Sequence, residues 1–305
     1  MKFDYHPYFY GQALSPLDGN VRDVDRLIAL DFLFDVLKPK PSPFRLVRVG
    51  GDRDGSYILP DDLSGVEACF SPGVNNFKHF EDQLSREYRM QCHLCDGSSD
   101  LDLFETPLIP GLQTFKKKWL APSSNELSIS LEEWIDEMCA SPDSDLLLQM
   151  DIEGAEYAIL ESIDHEVLRR FRVLVLEFHG LHRAIYEPSV LFQICIPLFE
   201  KISRDYVCVH AHPNNCIPYG HPIPGKQACL YELIELTFLR RDRFMLVPQS
   251  RYHAVNLPHP LDIVNFPSSP LLFLEPEWSS RRTLVGLMTM LRQRISYWSS
   301  RFRKN

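Results

Sequence analysis

The sequence predicts an α/β protein, a mostly parallel sheet with helices on both faces and an antiparallel strand closing it. Three observations carry this. From residue 67 to residue 203, short apolar runs of strand type alternate with segments of helical periodicity, the pattern of a parallel sheet covered by helices. Then YVCVHAH (206–212) and CLYELIELTFL (229–239) follow one another with a Pro/Gly/Asn loop and no helix between them, which returns the last strand antiparallel. Finally, polar groups stand at the carboxyl ends of the apolar runs, Ser71-Pro72-Gly73, Asp96-Gly97-Ser98, Asp151 and Glu177-Phe178-His179, where an open parallel sheet binds its ligands.

The elements follow in order. RDVDRLIALDFLFDVLK (22–38) has apolar residues at helical spacing, acids in its first turn and Pro39 after it, and reads as a helix that lids the core. A short strand near 44–49 meets two turn signals, Gly50-Gly51 and Asp54-Gly55. EACFS (67–71) is a strand, Gly73 a turn and 77–88 a helix. MQCHLCD (90–96) is the next strand, and QTFKKKWLA (113–121) a third. SLEEWIDEMCA (130–140) is a helix with Ser130 as N-cap and Glu133 at the capping-box position. DLLLQMD (145–151) and RVLVLEF (172–178) are buried strands, each followed by a helix, at 156–163 and 188–203. After 247 the chain is punctuated by Pro248, Pro258, Pro260, Pro267, Pro270 and Pro276, and reads as an extended tail over the surface. The last segment is a helix with Leu284, Leu287, Met288, Leu291, Ile295, Trp298 and Phe302 on one face. The chain thus divides into an N-terminal helical lid (1–43), a sheet domain (44–247), a proline-rich extended tail (248–279) and a basic amphipathic helix (280–305).

At 305 residues and 45% hydrophobic, the chain is long enough to bury one large core. Its net charge of −9 argues against nucleic acid as a partner. Residues 281–305 nevertheless hold seven Lys/Arg and no Asp or Glu. That helix either docks on an anionic membrane surface or packs on another subunit or on the acidic body of its own chain. No run approaches the roughly 20 apolar residues of a membrane span, and the first residues lack the apolar stretch of a signal peptide. The eight cysteines mostly sit in apolar runs, and the C-x-x-C of Cys92 and Cys95 has no second pair to complete a zinc site. The expectation is a reduced, cytoplasmic protein, peripheral to the inner face of the membrane if the basic helix reaches it.

Gly73 after the first strand lets backbone approach a ligand closely. Asp96 ends the second strand, where an acid accepts hydrogen bonds from ribose hydroxyls. Together in one βαβ unit they suggest a nucleoside-containing cofactor, while the absence of G-x-G-x-x-G disfavours a dinucleotide. DIEGAEYAIL (151–160) after an apolar strand, preceded by SLEEW and followed by a strand ending in Glu177, resembles the FkbM-type S-adenosylmethionine-dependent methyltransferases. VGGDRDGSYILPDD (49–62), CFSPGVNNFKHFED (69–82), HAHPNN (210–215) and ELTFLRRD (235–242) extend the resemblance over residues 44–265. It implies a Rossmann-like class I methyltransferase sheet of seven strands, the last antiparallel. It also implies that Ser71, Gly73 and Asp96, with Val74, Asn76, Gly97 and Ser98 of the same loops, hold S-adenosylmethionine, and that Asp151 sits near the transferred methyl. The loop SPGVNN departs from the acidic, multi-glycine form.

Members of that family commonly methylate hydroxyls, many of them on sugars, so the resemblance implies a glycan or glycoconjugate acceptor. A sugar hydroxyl ionises far above neutrality, so its methylation needs a base or a metal ion. Asp151, Glu153, Glu177, His179, His182 and His212 are the candidates. His179, titrating near neutrality after a strand end, is the first choice of base, with Asp151 and Glu153 beside it. Asp151 and Glu177 on adjacent strand ends are the candidate Mg²⁺ ligands. His212, Asn214, Asn215 and His182 read as donors and acceptors for the acceptor sugar. Arg48, Asp52 and Asp54 form a polar loop that closes over cofactor or substrate, or simply turns. Glu156 reads as part of its helix. The alternatives are a small-molecule, lipid or peptide acceptor, and a degenerate fold serving as a scaffold.

Overall fold

The computed structural model describes residues 21–139, 141–279 and 284–302. Residues 1–20 of the expected lid, and Arg281, Arg282, Arg303 and Lys304 of the basic segment, lie outside them. The first helix, α1, runs Asp23–Leu37. A ribbon of β1 (Leu46–Val49) and β2 (Tyr57–Pro60) follows, then β3 (Val66–Pro72), α2 (His79–Glu87) and β4 (Gln91–Cys95). After β5 (Gln113–Lys116) come the short pair β6 (Trp119–Leu120) and β7 (Ser128–Ile129), and then α3 (Leu131–Met138). Ser130 caps α3 by accepting the N–H of Glu133, as its spacing predicts. Next are β8 (Asp145–Met150), α4 (Glu156–Ser162), α5 (His165–Leu168) and β9 (Phe171–His179). The predicted helix at 188–203 is compound. Beyond α6 (Arg183–Tyr186), α7 (Pro188–Val190) passes through a π-helical stretch, Leu191–Cys195, into α8 (Ile196–Asp205). Pro197 lies at the start of α8 and has no N–H to give to a regular helix. β10 (Tyr206–Pro213), β11 (Gly220–Pro222), β12 (Cys229–Tyr231), β13 (Leu233–Arg240) and α9 (Leu284–Phe302) complete the chain.

Among the described residues, seven strands form one sheet in the order β10-β13-β9-β8-β3-β4-β5. β13 pairs antiparallel with both its neighbours, and the other pairs are parallel. All nine residues of β9 are buried, because both faces of the sheet are covered, and the middle of the strand reads as the apolar run VLVL. One face packs on α1, α3, α4 and α8, with Phe70 edge-on to Trp134 at 5.0 Å. The other packs on the β1–β2 ribbon and α2. Each fully buried Leu, Val or Phe contributes on the order of 1.5–3 kcal/mol. α1 buries Leu30, Leu33, Phe34 and Leu37 against α8 and β10, so it closes one edge of the sheet.

The structure differs from the sequence reading in further places. The predicted strand 113–121 is split: β5 joins the main sheet, and β6 pairs with β7 apart from it. The run CLYELIELTFL is broken at Glu232: β12 pairs with β11 in a hairpin, and only β13 joins the sheet. The proline-rich tail is not merely laid over the surface. It buries Leu257, Ile263, Val264, Leu274 and Trp278, and inserts Asp262 and Asn265 among the strand ends, both under a tenth exposed. Cys92 and Cys95 are free and buried.

α9 rests on this tail. A Cβ on Gly286 would lie 2.0 Å from the carbonyl oxygen of Pro258, Met290 is buried, and Gln293 Oε1 accepts the N–H of Val264 at 3.1 Å. Leu284, Met288, Leu291 and Ile295, spaced four, three and four apart, are 73%, 45%, 48% and 65% exposed. The predicted apolar face therefore points, in these members, to solvent. Among the described residues no helix is long and apolar enough to cross a membrane.

Candidate active site

Sheet order reverses between β3 and β8, and there the carboxyl ends of β3, β4 and β8 open onto a cavity of about 700 Å³, large enough to enclose a drug-sized molecule. Its first wall is the loop after β3. Gly73 has φ +84°, and a Cβ there would lie 1.7 Å from the carbonyl oxygen of Asp151, so only glycine lets this loop pass the mouth of β8. Asn75 and Asn76 follow at φ +41° and +62°. Asparagine is among the few side chains that visit this left-handed region routinely. SPGVNN thus reaches with asparagines the backbone conformations a multi-glycine loop reaches with glycines.

The second wall is built on Asp96. One of its oxygens accepts the N–H of Asn75 at 2.8 Å, and the other accepts the N–H and hydroxyl of Ser98 at 2.7 and 2.6 Å. The carboxylate ties the two loops together and keeps a lone pair on Oδ2 for a ligand. Trp119 of β6 lies on the backbone of Gly97, where a Cβ would fall 2.4–2.6 Å from the indole. With Phe77 it lines the cavity with aromatic surface.

A line of hydrogen bonds runs under the floor. Ser71 Oγ contacts Glu81 Oε1 and lies 2.6 Å from Gln149 Oε1. Gln149 Nε2 donates to Tyr57 Oη at 3.2 Å, and Tyr57 Oη donates to Asp151 Oδ2 at 3.4 Å. Ser71 has one hydroxyl proton for two acceptor oxygens, so the line closes when Glu81 brings a second. Burial raises Glu81 to about 7, which supplies that proton near neutrality.

On the other side of Asp151 stands His179, the last residue of β9. Its Nδ1 is 3.0 Å from Glu156 Oε1, and its Nε2 is 3.7 Å from Asp151 Oδ1 and 3.4 Å from Glu153 Oε2. Glu156 also accepts the N–H of Ile152 at 3.0 Å, so its role in orienting the ring extends its place in α4. Burial opposes a charge on His179, yet Glu156, Asp151 and Glu153 overcome it and hold the imidazole at about 9. Burial raises Asp151 to about 8; His179 opposes this, while Glu153, Glu156 and Asp54 add to it. Glu153 and Gly154 take φ of +58° and +101°, a bend that costs the glutamate roughly 1–2 kcal/mol and turns the chain from β8 into α4.

Behind Asp151 lies a second polar layer. Glu177 and Glu235 face each other across β9 and β13. Asn214 Nδ2 donates to Glu177 at 3.0 Å and to Asp54 at 3.3 Å, and Asn265 Nδ2 donates to Glu235 at 2.7 Å and to Asp54 at 2.9 Å. Burial, then Asp151, Glu235 and Asp54, push the Glu177 carboxyl well up.

The cavity thus brings together Gly73, Val74, Asp96, Ser98, Asp151, Glu153 and Asp54 of the residues picked out in the sequence. Ser71, Asn76 and Gly97 support it from behind: Ser71 is fully buried, Asn76 fastens the loop at Ser99 and Asp100, and Gly97 is covered by Trp119. Glu177, His179 and Asn214 form the layer beneath Asp151, and the His179 side chain is only 5% exposed. His212 and Asn215 are buried under the tail and hold it, through Asn265 and through the backbone of Phe266 and Pro270. Arg48 staples the 50–56 loop to the tail through the carbonyls of Gly51, Ser56 and Leu261. His182 lies apart, beside His221 and Glu232. The cavity also takes in Tyr57, Glu81, Trp119 and Gln149, which carry no site signal in the sequence except that Trp119 stands near the carboxyl end of the third predicted strand.

The residues fit S-adenosylmethionine. The glycine cradle would be filled by any Cβ, Asp96 keeps an open acceptor, and Asp54, Asp96 and Glu153 line the cavity, carboxylates suited to a cationic sulfonium. A sheet of this order and direction, with this cavity at its switch point, is a Rossmann-like fold of the class I methyltransferase type. Residues 124–202, from just before β7 into α8, match the family model for the methyltransferase FkbM domain, and S-adenosylmethionine is the usual cofactor of that family. Among solved structures the chain is similar to a precorrin-6y C5,15-methyltransferase from Geobacter metallireducens GS-15, with 11% identity, a TM-score of 0.29, and coverage of 74% of this chain and 93% of that one. No curated protein matches the chain.

Proposed function

We propose that the protein transfers a methyl group from S-adenosylmethionine to a hydroxyl, and that the acceptor is a sugar of a glycan or glycoconjugate. The observation that carries the reading is Asp151: it stands in the cavity across from the glycine cradle, 30% exposed, with its proton affinity raised to about 8. When bound, S-adenosylmethionine supplies an electrophilic methyl. Asp151 takes the proton of the attacking hydroxyl. His179, charged at neutral pH and fixed by Glu156, steadies the carboxylate from beneath rather than acting as the base. Asp54, Arg53 and Glu153 line the same cavity and offer the donors and acceptors that a polyol requires. A second reading draws on the same cluster. Asp151, Glu177 and His179 present ligand atoms within 4.8 Å of one another, an arrangement that suits a divalent cation such as Mg²⁺ through its oxygens.

The cofactor half is tested by calorimetry with S-adenosylhomocysteine. Binding is expected for the wild type, and Trp119→Ala should weaken it by about tenfold or more, in line with the roughly 1–3 kcal/mol of a lost aromatic stack on a base. No binding at sub-millimolar concentration would favour a non-catalytic scaffold. The acceptor half is tested by mass spectrometry of products from a panel of glycans, lipids, peptides and small hydroxyl compounds. Methylation confined to the non-sugar acceptors would overturn the glycan assignment, and loss of turnover on chelation would favour the metal reading.

The exposed seam of α9 belongs to the same proposal: it lays the protein on an anionic membrane surface, where lipid-linked acceptors reside. A helix pair with a second copy would set arginines against arginines, since the segment holds no acid, whereas each Lys or Arg near an anionic surface contributes about 1 kcal/mol. The full chain should co-sediment with phosphatidylserine vesicles, less so as salt rises, and a chain ending at 279 should not. Equal partition of both forms would exclude the membrane role. A loss of dimer on truncation, without vesicle binding, would assign the seam to self-association.

A further inference from the structure

Where β9 gives way to helix, three side chains from separate segments meet outside the cavity. His182 precedes α6, His221 is carried by β11, and Glu232 lies between β12 and β13. One ligand atom from each lies within 4.8 Å of the others. The two imidazoles are stacked, 4.2 Å between centroids and 20° between planes. We propose that His182, His221 and Glu232 bind a divalent transition-metal ion of the zinc class, through two imidazole nitrogens and a carboxylate oxygen.

The polar contacts of the cluster suit a cation. His182 Nδ1 is buried and has no hydrogen-bond partner, and such an atom costs about 1–3 kcal/mol until something binds it. His221 is engaged at both nitrogens, with Tyr186 Oη 3.2 Å from Nδ1 and Glu232 Oε1 3.3 Å from Nε2. A metal-bound histidine is commonly fixed through its second nitrogen in this way. When Nδ1–H donates to Tyr186 Oη, the tautomer a metal ligand takes, the Nε2 lone pair is free to bind an ion together with Glu232. The neighbouring Arg183 is committed to Glu187 by two contacts of 2.7 Å. Two imidazoles and one carboxylate form a donor set that zinc accepts while keeping an open position. Bonds of about 2.0–2.2 Å require the donors to close and one imidazole to turn out of the stack, since the ion lies in the plane of each ring that binds it. The backbone N–H of Gly180, next to His179, donates to the carbonyl of Glu232 at 2.7 Å, so an ion here would clamp the β11–β12 hairpin to the end of the strand that carries His179.

The probes are Zn²⁺ and Co²⁺, each added alone to the metal-stripped full chain. The wild type should retain one ion through gel filtration by elemental analysis, and Co²⁺ should develop the visible absorption of a four- or five-coordinate site. His221→Ala and Glu232→Gln should each weaken binding at least tenfold. Tyr186→Phe, which removes only a hydroxyl, should weaken it less, and Asp151→Asn should leave this ion bound. Retention of the ion by a folded His221→Ala/Glu232→Gln double variant would overturn the assignment. Its loss in Asp151→Asn with retention in His221→Ala would place the ion in the cavity instead.

Discussion

Asp151→Asn is expected to lower turnover by about 10²–10⁴-fold, the usual contribution of a positioned general base, while S-adenosylhomocysteine binds nearly as before. The amide keeps the shape of the side chain and can still meet Tyr57 Oη at the floor, so what disappears is the ability to take a proton. The dependence on pH separates this from a merely structural role. Because the proton affinity of Asp151 is raised to about 8, its protonated form predominates at neutral pH and is inactive as a base. Wild-type turnover should therefore climb from pH 6 to beyond pH 8, whereas the residual rate of the Asn variant should lack that limb. A wild-type profile flat over the same range would remove Asp151 from the role, as would an Asn variant with near-normal turnover.

Gly73→Ala should abolish cofactor binding and lower the unfolding midpoint. Two effects add. A side chain at φ +84° costs roughly 1–2 kcal/mol, and the new Cβ would overlap the carbonyl of Asp151 at 1.7 Å, which forces the first loop away from the mouth of β8. Gly111→Ala separates them: Gly111 has φ +75° and nothing within 4 Å of its Cβ position, so it bears the backbone cost alone. The excess destabilisation of Gly73→Ala over Gly111→Ala, and a loss of affinity confined to Gly73→Ala, measure the collision. Equal effects at the two glycines would mean that the loop yields freely and that Gly73 is no cradle.

Much of the sheet could be read from the chain because both of its faces are covered. Runs such as DLLLQM and FRVLVLEFH are apolar through their middles, LLL and VLVL, with polar residues towards their ends, and few other structures bury such runs. Asp96, Gly73 and Asp151 were legible for a related reason: in an open parallel sheet the strand end is itself the address of the ligand. Residues that reach the cavity by tertiary folding carry no such address. Tyr57 comes from a separate ribbon, Glu81 from the first turn of α2 and Gln149 from within a strand, and only their side-chain directions bring them to one floor. His212 and Asn215 show the converse. Their motif suggests an open polar loop, yet the tail returns from some 50 residues later to cover them, and proline spacing does not foretell where an extended segment will lie. His179 was located correctly at its strand end, but its proton affinity depends on Glu156, Asp151 and Glu153 converging on one imidazole.

The helix α9 and the wall of the cavity share a single short segment of tail. Gln293 holds the N–H of Val264, and the next residue, Asn265, donates to Asp54 and Glu235. A load placed on the helix reaches Asp54, which lines the cavity, across two hydrogen bonds and one peptide unit. Under the proposed membrane role, seating α9 on a surface and filling the cavity would act on each other through Val264 and Asn265.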